Sequence, residues 1–145
     1  MQWIAVAASL LPDDAQYIIR PHPMCPIDPA EYPRLRCTMS EAPLSYLLRT
    51  CDVAFTGNIT SAAVDAYVAG VPVVSTLDGG TLNLSPLREL EGVSFVADAG
   101  HLAAALVQAP VNIPDRDEYF FLDRELSRWR HLLDRALSRE MKKES

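Results

Sequence analysis

Long apolar runs, basic runs and regularly spaced cysteines are all missing from this sequence, and each absence removes a class of function. No stretch approaches the roughly 20 apolar residues that a membrane span needs, although 49% of the 145 residues are hydrophobic. Met1 to Leu11 lacks the basic start and small-residue cleavage site of a signal peptide. The formal net charge is −6, from 13 Lys and Arg against 19 Asp and Glu, whereas a nucleic-acid binder would show a basic face that releases counterions from phosphate. The most basic stretch, Arg124 to Arg139, interleaves Arg128, Arg130 and Arg135 with Glu125 and Asp134 and reads as a solvated helix face. Cys25, Cys37 and Cys51 are odd in number and lack Cys-x-x-Cys spacing, so neither a disulfide framework nor a zinc knuckle is expected, and reduced thiols in the cytoplasm fit best. Three scattered histidines make no metal site. There is no internal repeat and no low-complexity segment.

What is present has the size of one globular domain, long enough to bury roughly two-thirds of its unfolded-state surface. Met1 to Leu11 is apolar almost throughout and stops at Pro12-Asp13-Asp14, which predicts a helix or the end of an inter-domain connection over residues 1–14, its beginning missing. Tyr17-Ile18-Ile19 predicts a short buried strand ended by Arg20-Pro21-His22-Pro23, because proline cannot donate in a ladder. Pro26, Pro29 and Pro33 make Met24 to Arg34 a loop. Further strands are expected at Leu35 to Thr38, Asp52 to Thr56, Val71 to Ser75 and Val93 to Val96. Helices are expected at Leu44 to Arg49, Ala62 to Ala69, Ser85 to Leu90 and His101 to Gln108, the second capped by Thr60 or Ser61 and closed by Gly70. This alternation predicts an α/β domain over residues 15–110, a Rossmann-like parallel sheet with helices on both faces. Residues 111–145 are expected to be a linker and a long amphipathic helix from about Asp123 to Arg139, with Leu122, Leu126, Trp129, Leu133 and Leu137 in one apolar stripe.

Ligands of open parallel sheets bind beyond the carboxyl ends of the strands, and three segments fall there. In the first, Pro21 and Pro23 stiffen a turn that carries Arg20 and His22. The guanidinium can pair with phosphate bidentately and the imidazole can donate to another phosphate oxygen; the plain alternative is a structural turn with a surface histidine. The second, Thr56-Gly57-Asn58-Ile59-Thr60-Ser61, is a strand-to-helix turn with a small flexible residue and two hydroxyls at a helix start. Free N–H groups and the helix dipole favour a phosphate there, while capping accounts for one hydroxyl and less well for two. Asp65 lies four residues beyond Ser61 on the same helical face, placed to accept from sugar hydroxyls or to be an ordinary exposed carboxylate. In the third, Gly79 and Gly80 permit close backbone approach to a ligand and Thr81 and Asn83 offer polar contacts, unless the stretch is a flexible connector.

The residues from Cys51 to Thr56, and from Thr60-Ser61 through Asp65 to Gly70-Val71-Pro72-Val73-Val74, resemble the donor-binding core of GT-B glycosyltransferases. In that family a strand, a hydroxyl-rich turn, a helix with an internal Glu or Asp and a small-x-Pro-Val-Ile-like strand hold the nucleotide sugar. Arg20-Pro21-His22-Pro23 is similar to the His-Pro motif of bacterial sialyltransferases and CDP-glycerol glycerophosphotransferases, which pair it with a Ser-Ser or Ser-Thr motif, matched here by Thr60-Ser61. The resemblance covers about residues 15–108. Tyr119-Phe120-Phe121-Leu122 and Trp129-Arg130-His131-Leu132-Leu133 look like the closing segment of surface-carbohydrate biosynthesis proteins, where the chain returns toward the first domain.

The resemblance implies the carboxyl-terminal half of a GT-B fold. It implies a catalytic contact from His22 to the donor phosphate, contacts from Thr60 and Ser61 to the phosphate and cytidine portion, and one from Asp65 to the donor ribose or sugar. Gly57 and Asn58 stand where the glycerophosphotransferases carry acidic and aromatic residues, which turns the expectation toward a CMP-activated acid sugar, with UDP- or GDP-sugars next. The implied activity is glycosyl transfer to a surface polysaccharide or lipid-linked acceptor, in the cytoplasm or at the periphery of the inner membrane, with no cofactor and no metal. The catalytic base and acceptor site would belong to a missing amino-terminal domain, so the chain alone is expected to be inactive. Two rivals stand beside this reading. A non-enzymatic receiver-like or partner-binding α/β module would, in its receiver form, show an acidic pocket where the first strand here ends in Arg20 and His22. A two-domain nucleotide-sugar epimerase would need further catalytic carboxylates.

Overall fold

A computed structural model of the chain describes residues 1–57, 60–80, 82–110 and 125–141, with side chains through 134. Among the described residues five short strands are formed: β1 (Tyr17–Ile19), β2 (Cys37–Met39), β3 (Ala54–Thr56), β4 (Val73–Thr76) and β5 (Val93–Val96). The helices are α1 (Gln2–Ala7), continued by a 3-10 turn over Ala8–Leu10, then α2 (Leu44–Leu47), α3 (Ser61–Val68), α4 (Ala99–Val107) and α5 (Ser127–Met141). The result is a mixed α/β chain with small parallel sheets. Among the described residues no helix is long and apolar enough to cross a membrane.

The sheet β3-β4-β5 is built round an aliphatic central strand. Ala54, Phe55 and Thr56 pair with Val73, Val74 and Ser75, and Val73 to Thr76 pair in parallel with Val93 to Val96. Successive side chains of a strand point to opposite faces, so Val73 and Val74 enter two different cores. On one face Val73 joins Ala63, Ala66 and Tyr67 of α3 with Leu48, Val71 and Leu87. On the other, Val74 and Val96 meet Ile4 and Ala7 of α1, Leu35, and Leu102 and Ala103 of α4. A strand buried on both faces reads as continuous Val and Ile rather than as an alternation, and Val71-Pro72-Val73-Val74 does so. Fully burying a side chain such as Leu87 or Leu102, both at 0% exposure, contributes about 1.5–3 kcal/mol.

Local chemistry fixes both ends of α3. The Thr60 hydroxyl accepts the Ala62 backbone N–H at 3.2 Å. At the other end Gly70, at φ 85°, donates to the Tyr67 carbonyl, and Val71 donates to the Ala66 carbonyl, both at 2.9 Å. That reciprocal pair closes the last turn and needs a left-handed residue, which glycine supplies without a Cβ clash.

Two expectations are corrected. The parallel sheet forms as two hydrogen-bonded ladders, β1-β2 and β3-β4-β5, rather than one. Strand β1 is only three residues long and is followed by Pro21 and Pro23, which cannot donate. Its Ile19 carbonyl accepts from Ser40 at 2.9 Å, beyond β2, and its contribution to the fold runs through side chains: Tyr17 and Ile19 pack on the same core as Phe55. The Tyr17 hydroxyl is buried without a hydrogen-bond partner, and burial pushes its pKa up. The second correction concerns Ser85 to Leu90, which forms turns instead of a helix. There Arg88 and Leu90 donate three residues back, to Ser85 and Leu87, and Glu89 adopts φ 67°, a left-handed value that a helix excludes. Helix α5 begins at Ser127, four residues later than the sequence reading placed it.

Candidate functional site

Within each ladder the strands run parallel, so their carboxyl ends share a rim. The β3-β4-β5 rim gathers Thr56 at the end of β3 with Gly57, Thr76 at the end of β4 with Leu77 to Gly80, and Asp98 after β5. The β1-β2 rim gathers Arg20, Pro21 and His22 with Ser40 to Ala42.

At the β1-β2 rim, Arg20 is exposed and its Nε donates to the Ala42 carbonyl at 3.1 Å, which ties the guanidinium across the ends of both strands. His22 is exposed in a tight turn in which Cys25 N–H donates to the His22 carbonyl at 2.8 Å. Its Nδ1 accepts the Met24 N–H at 3.1 Å. In the neutral ring that bond puts the proton on Nε2, which remains to donate to a ligand.

At the β3 end, Ser75 is a polar residue buried in an aliphatic strand. Its hydroxyl donates to the Gly57 carbonyl at 2.8 Å and accepts from Thr56 Oγ1 at 3.3 Å, so β4 holds the first residue of the turn that follows β3. Thr60 caps α3 while keeping its hydroxyl proton for another acceptor, and exposed Ser61 opens the first helical turn, which contains no acidic residue. Asp65 is exposed one turn along the same helix. A Cβ at Gly57 or Gly79 would meet nothing within 4 Å, and one at Gly80 only Asp78 Oδ1 at 3.7 Å. Neither backbone strain nor intramolecular crowding therefore demands glycine at these positions, and open space adjoins the rim.

The third segment is more internally engaged. Gly80 N–H donates to Asp78 Oδ1 at 3.2 Å. Half-buried Asn83 accepts the Ser85 N–H at 3.1 Å, and Ser85 Oγ accepts the Leu87 N–H at 3.2 Å, a relay that lowers Leu87 into the α3 core. Asn83 thus shapes its own loop. Asn58 and Thr81 lie outside the described residues.

Sequence reasoning passed over two features of the rim. One is Ser75, whose signal was a lone hydroxyl inside a valine run. The other is Asp98 at the start of α4, whose carboxylate accepts the His101 backbone N–H at 2.8 Å and pairs with His101 Nδ1 at 2.7 Å. The backbone bond from His101 and then its ring hold the Asp98 carboxyl below the usual carboxylate range. The Asp-x-x-His spacing of a helix cap was the available clue. Asp115-Arg116-Asp117, an Asp-x-Asp spacing of the kind that can hold a divalent ion, was also overlooked and lies outside the described residues.

The structure brings Gly57, Thr60, Ser61 and Asp65 together on one strand-turn-helix unit and Arg20 and His22 on one turn. Among the described residues no hydrogen bond or ion pair joins the two groups. Searches for known relatives found no match among protein-family models, curated proteins or solved structures.

Proposed function

We propose that this chain is the donor-binding half of a two-domain glycosyltransferase of the GT-B type, acting on a nucleotide-activated sugar. The observation that carries the reading is the start of α3: a hydroxyl cap, a second hydroxyl at Ser61 and no carboxylate in the first turn, set directly after β3 on a parallel-strand rim. The Ser61 N–H, the positive end of the helix dipole and two hydroxyl donors suit a phosphate, while the Ala62 and Ala63 N–H groups are already held by Thr60. In this reading the diphosphate or monophosphate of the donor lies over the α3 start, Asp65 accepts from a ribose or sugar hydroxyl, and the His22 Nε2–H and the remaining guanidinium N–H groups of Arg20 approach the departing phosphate. Donors aimed at a leaving phosphate stabilise the charge that develops on it during transfer. The acceptor site and base are supplied by another domain, and the sugar passes to a surface polysaccharide or lipid-linked acceptor.

The test is an NMR titration of the chain with CMP, CDP, UDP and GDP, with and without Mg²⁺. Saturable shifts at Gly57, Thr60 and Ser61 together with Arg20 and His22, with one base preferred, are expected. No shifts at millimolar concentration would reject the donor site. A second reading, a partner-binding α/β module, is favoured by the row of exposed apolar side chains on α5 and would leave the spectrum unchanged in every titration.

A further inference from the structure

On its α3 side the β3-β4 pair ends in two hydroxyls. Ala54 and Val73 pack in the α3 core, and Thr56 and Ser75, two residues further along the paired strands, stand on the same face. Ser75 is 1% exposed and is the last buried residue of β4. Its hydroxyl has one proton, and the Gly57 carbonyl at 2.8 Å can only accept, so the proton is committed there. The contact with Thr56 Oγ1 at 3.3 Å therefore runs one way, with Thr56 donating to Ser75. Turning the Thr56 proton toward a ligand would leave the buried Ser75 oxygen without a donor among the described residues. Half-buried Thr56 thus has lone pairs but no proton to offer at the rim. The Thr60 hydroxyl, across the same turn, has the reverse polarity: it accepts the Ala62 N–H and keeps its proton.

We infer that Thr56 is a specificity-determining residue that accepts a hydrogen bond from a sugar hydroxyl of the bound nucleotide, and that buried Ser75 is the positioning residue that fixes this polarity. The inference rests on the donor-site reading and deepens it. Ionised phosphate oxygens only accept, which matches the protons of Thr60 and Ser61, whereas a ribose or a transferred sugar carries hydroxyl donors. The order of polarities along the turn sets the direction of the ligand, with phosphate toward the α3 start and a sugar ring toward the end of β3.

Isothermal titration calorimetry of the chain tests it, with CMP, CDP, UDP and GDP, their 2′-deoxy and 3′-deoxy forms, and the glucose conjugates of the diphosphates. Thr56→Val keeps the shape and removes the hydroxyl. It should weaken the best-bound ligand by about three- to tenfold, the worth of one hydrogen bond, and leave the matching ligand that lacks the recognised hydroxyl unchanged. A loss seen with a nucleotide but not with one of its deoxy forms assigns that hydroxyl to the ribose. A loss seen with a glucose conjugate but not with the bare diphosphate assigns it to the transferred sugar. Thr56→Ser should retain the discrimination and Ser75→Ala should reduce it, a ratio of affinities that a general loss of stability does not move. Unchanged discrimination in Ser75→Ala overturns the positioning role. Binding that ignores Thr56→Val, or weakens equally for every ligand, overturns the whole inference while leaving the donor site standing. No binding by any nucleotide overturns both.

Discussion

Two helices start on the same rim, and they treat negative charge in opposite ways. At α4 a carboxylate already occupies the helix start: Asp98 takes the His101 backbone N–H with one oxygen and the His101 ring with the other. At α3 the cap is the neutral Thr60 hydroxyl, with Ser61 behind it and no acid in the first turn. An incoming phosphate would meet repulsion at α4 and, at α3, two hydroxyls with no carboxylate in the first turn. The two helix starts therefore differ in the charge set at them rather than in whether a helix begins there.

The strongest way to break the contrast is to make α3 resemble α4. Ser61→Asp places a carboxylate in the first turn of α3, which suits the helix dipole and leaves folding intact, yet it should lower affinity for a nucleoside diphosphate by at least about tenfold, about 1.4 kcal/mol. Isothermal titration calorimetry beside a denaturation curve separates the two effects, and unchanged affinity would remove α3 from the site. Next in size, Thr60→Ala takes away the α3 cap and should cost about 1 kcal/mol of stability, read as a lower urea midpoint.

A smaller effect sharpens the α4 side. Because the folded state holds the Asp98 pKa below its ordinary value, its stabilising contribution is fully present above about pH 3.9, the unfolded value, and is lost as pH falls through the folded pKa. Asp98→Asn should abolish that part of the acid dependence, so the urea midpoints of variant and parent converge at low pH; a constant gap down to pH 2 would contradict it. The smallest effect is at Gly79, where Ala meets open space and stability should shift by no more than about 0.5 kcal/mol. Only ligand affinity should respond, and only if a ligand approaches the backbone there.

Much of the β3-α3-β4 unit was legible because its signals are local: an aliphatic strand, a hydroxyl cap and a glycine at the helix stop act within a few residues of one another. Val93 to Val96 matched its strand for the same reason. The separation into two ladders was not legible. It depends on whether β1 or β2 also pairs with a strand of the β3-β4-β5 ladder, and three apolar residues between polar and proline-rich flanks carry no record of that. The turns at Ser85 to Leu90 misled because Ser-Pro is also a good helix opening; the Ser85 side chain bonds Leu87 locally, and Glu89 leaves the helical region. At the candidate site, the strand end and the helix start that carry Thr60 and Ser61 could be placed from sequence. The engagement of Asn83 and the buried latch from Ser75 to Gly57 could not, since both require knowing which loop atoms lie nearby.

The small residues beneath α3 carry a further consequence. Ala63 and Ala66 are essentially inaccessible against β4, so the axis of α3 sits as near the sheet as a methyl group allows. Enlarging either one would raise the whole helix and carry Thr60, Ser61 and Asp65 away from the rim together. A saturation screen for lost ligand binding would then score Ala66 as though it touched the ligand, and the error would be exposed only by a variant that combines the larger side chain with a smaller one at Val73.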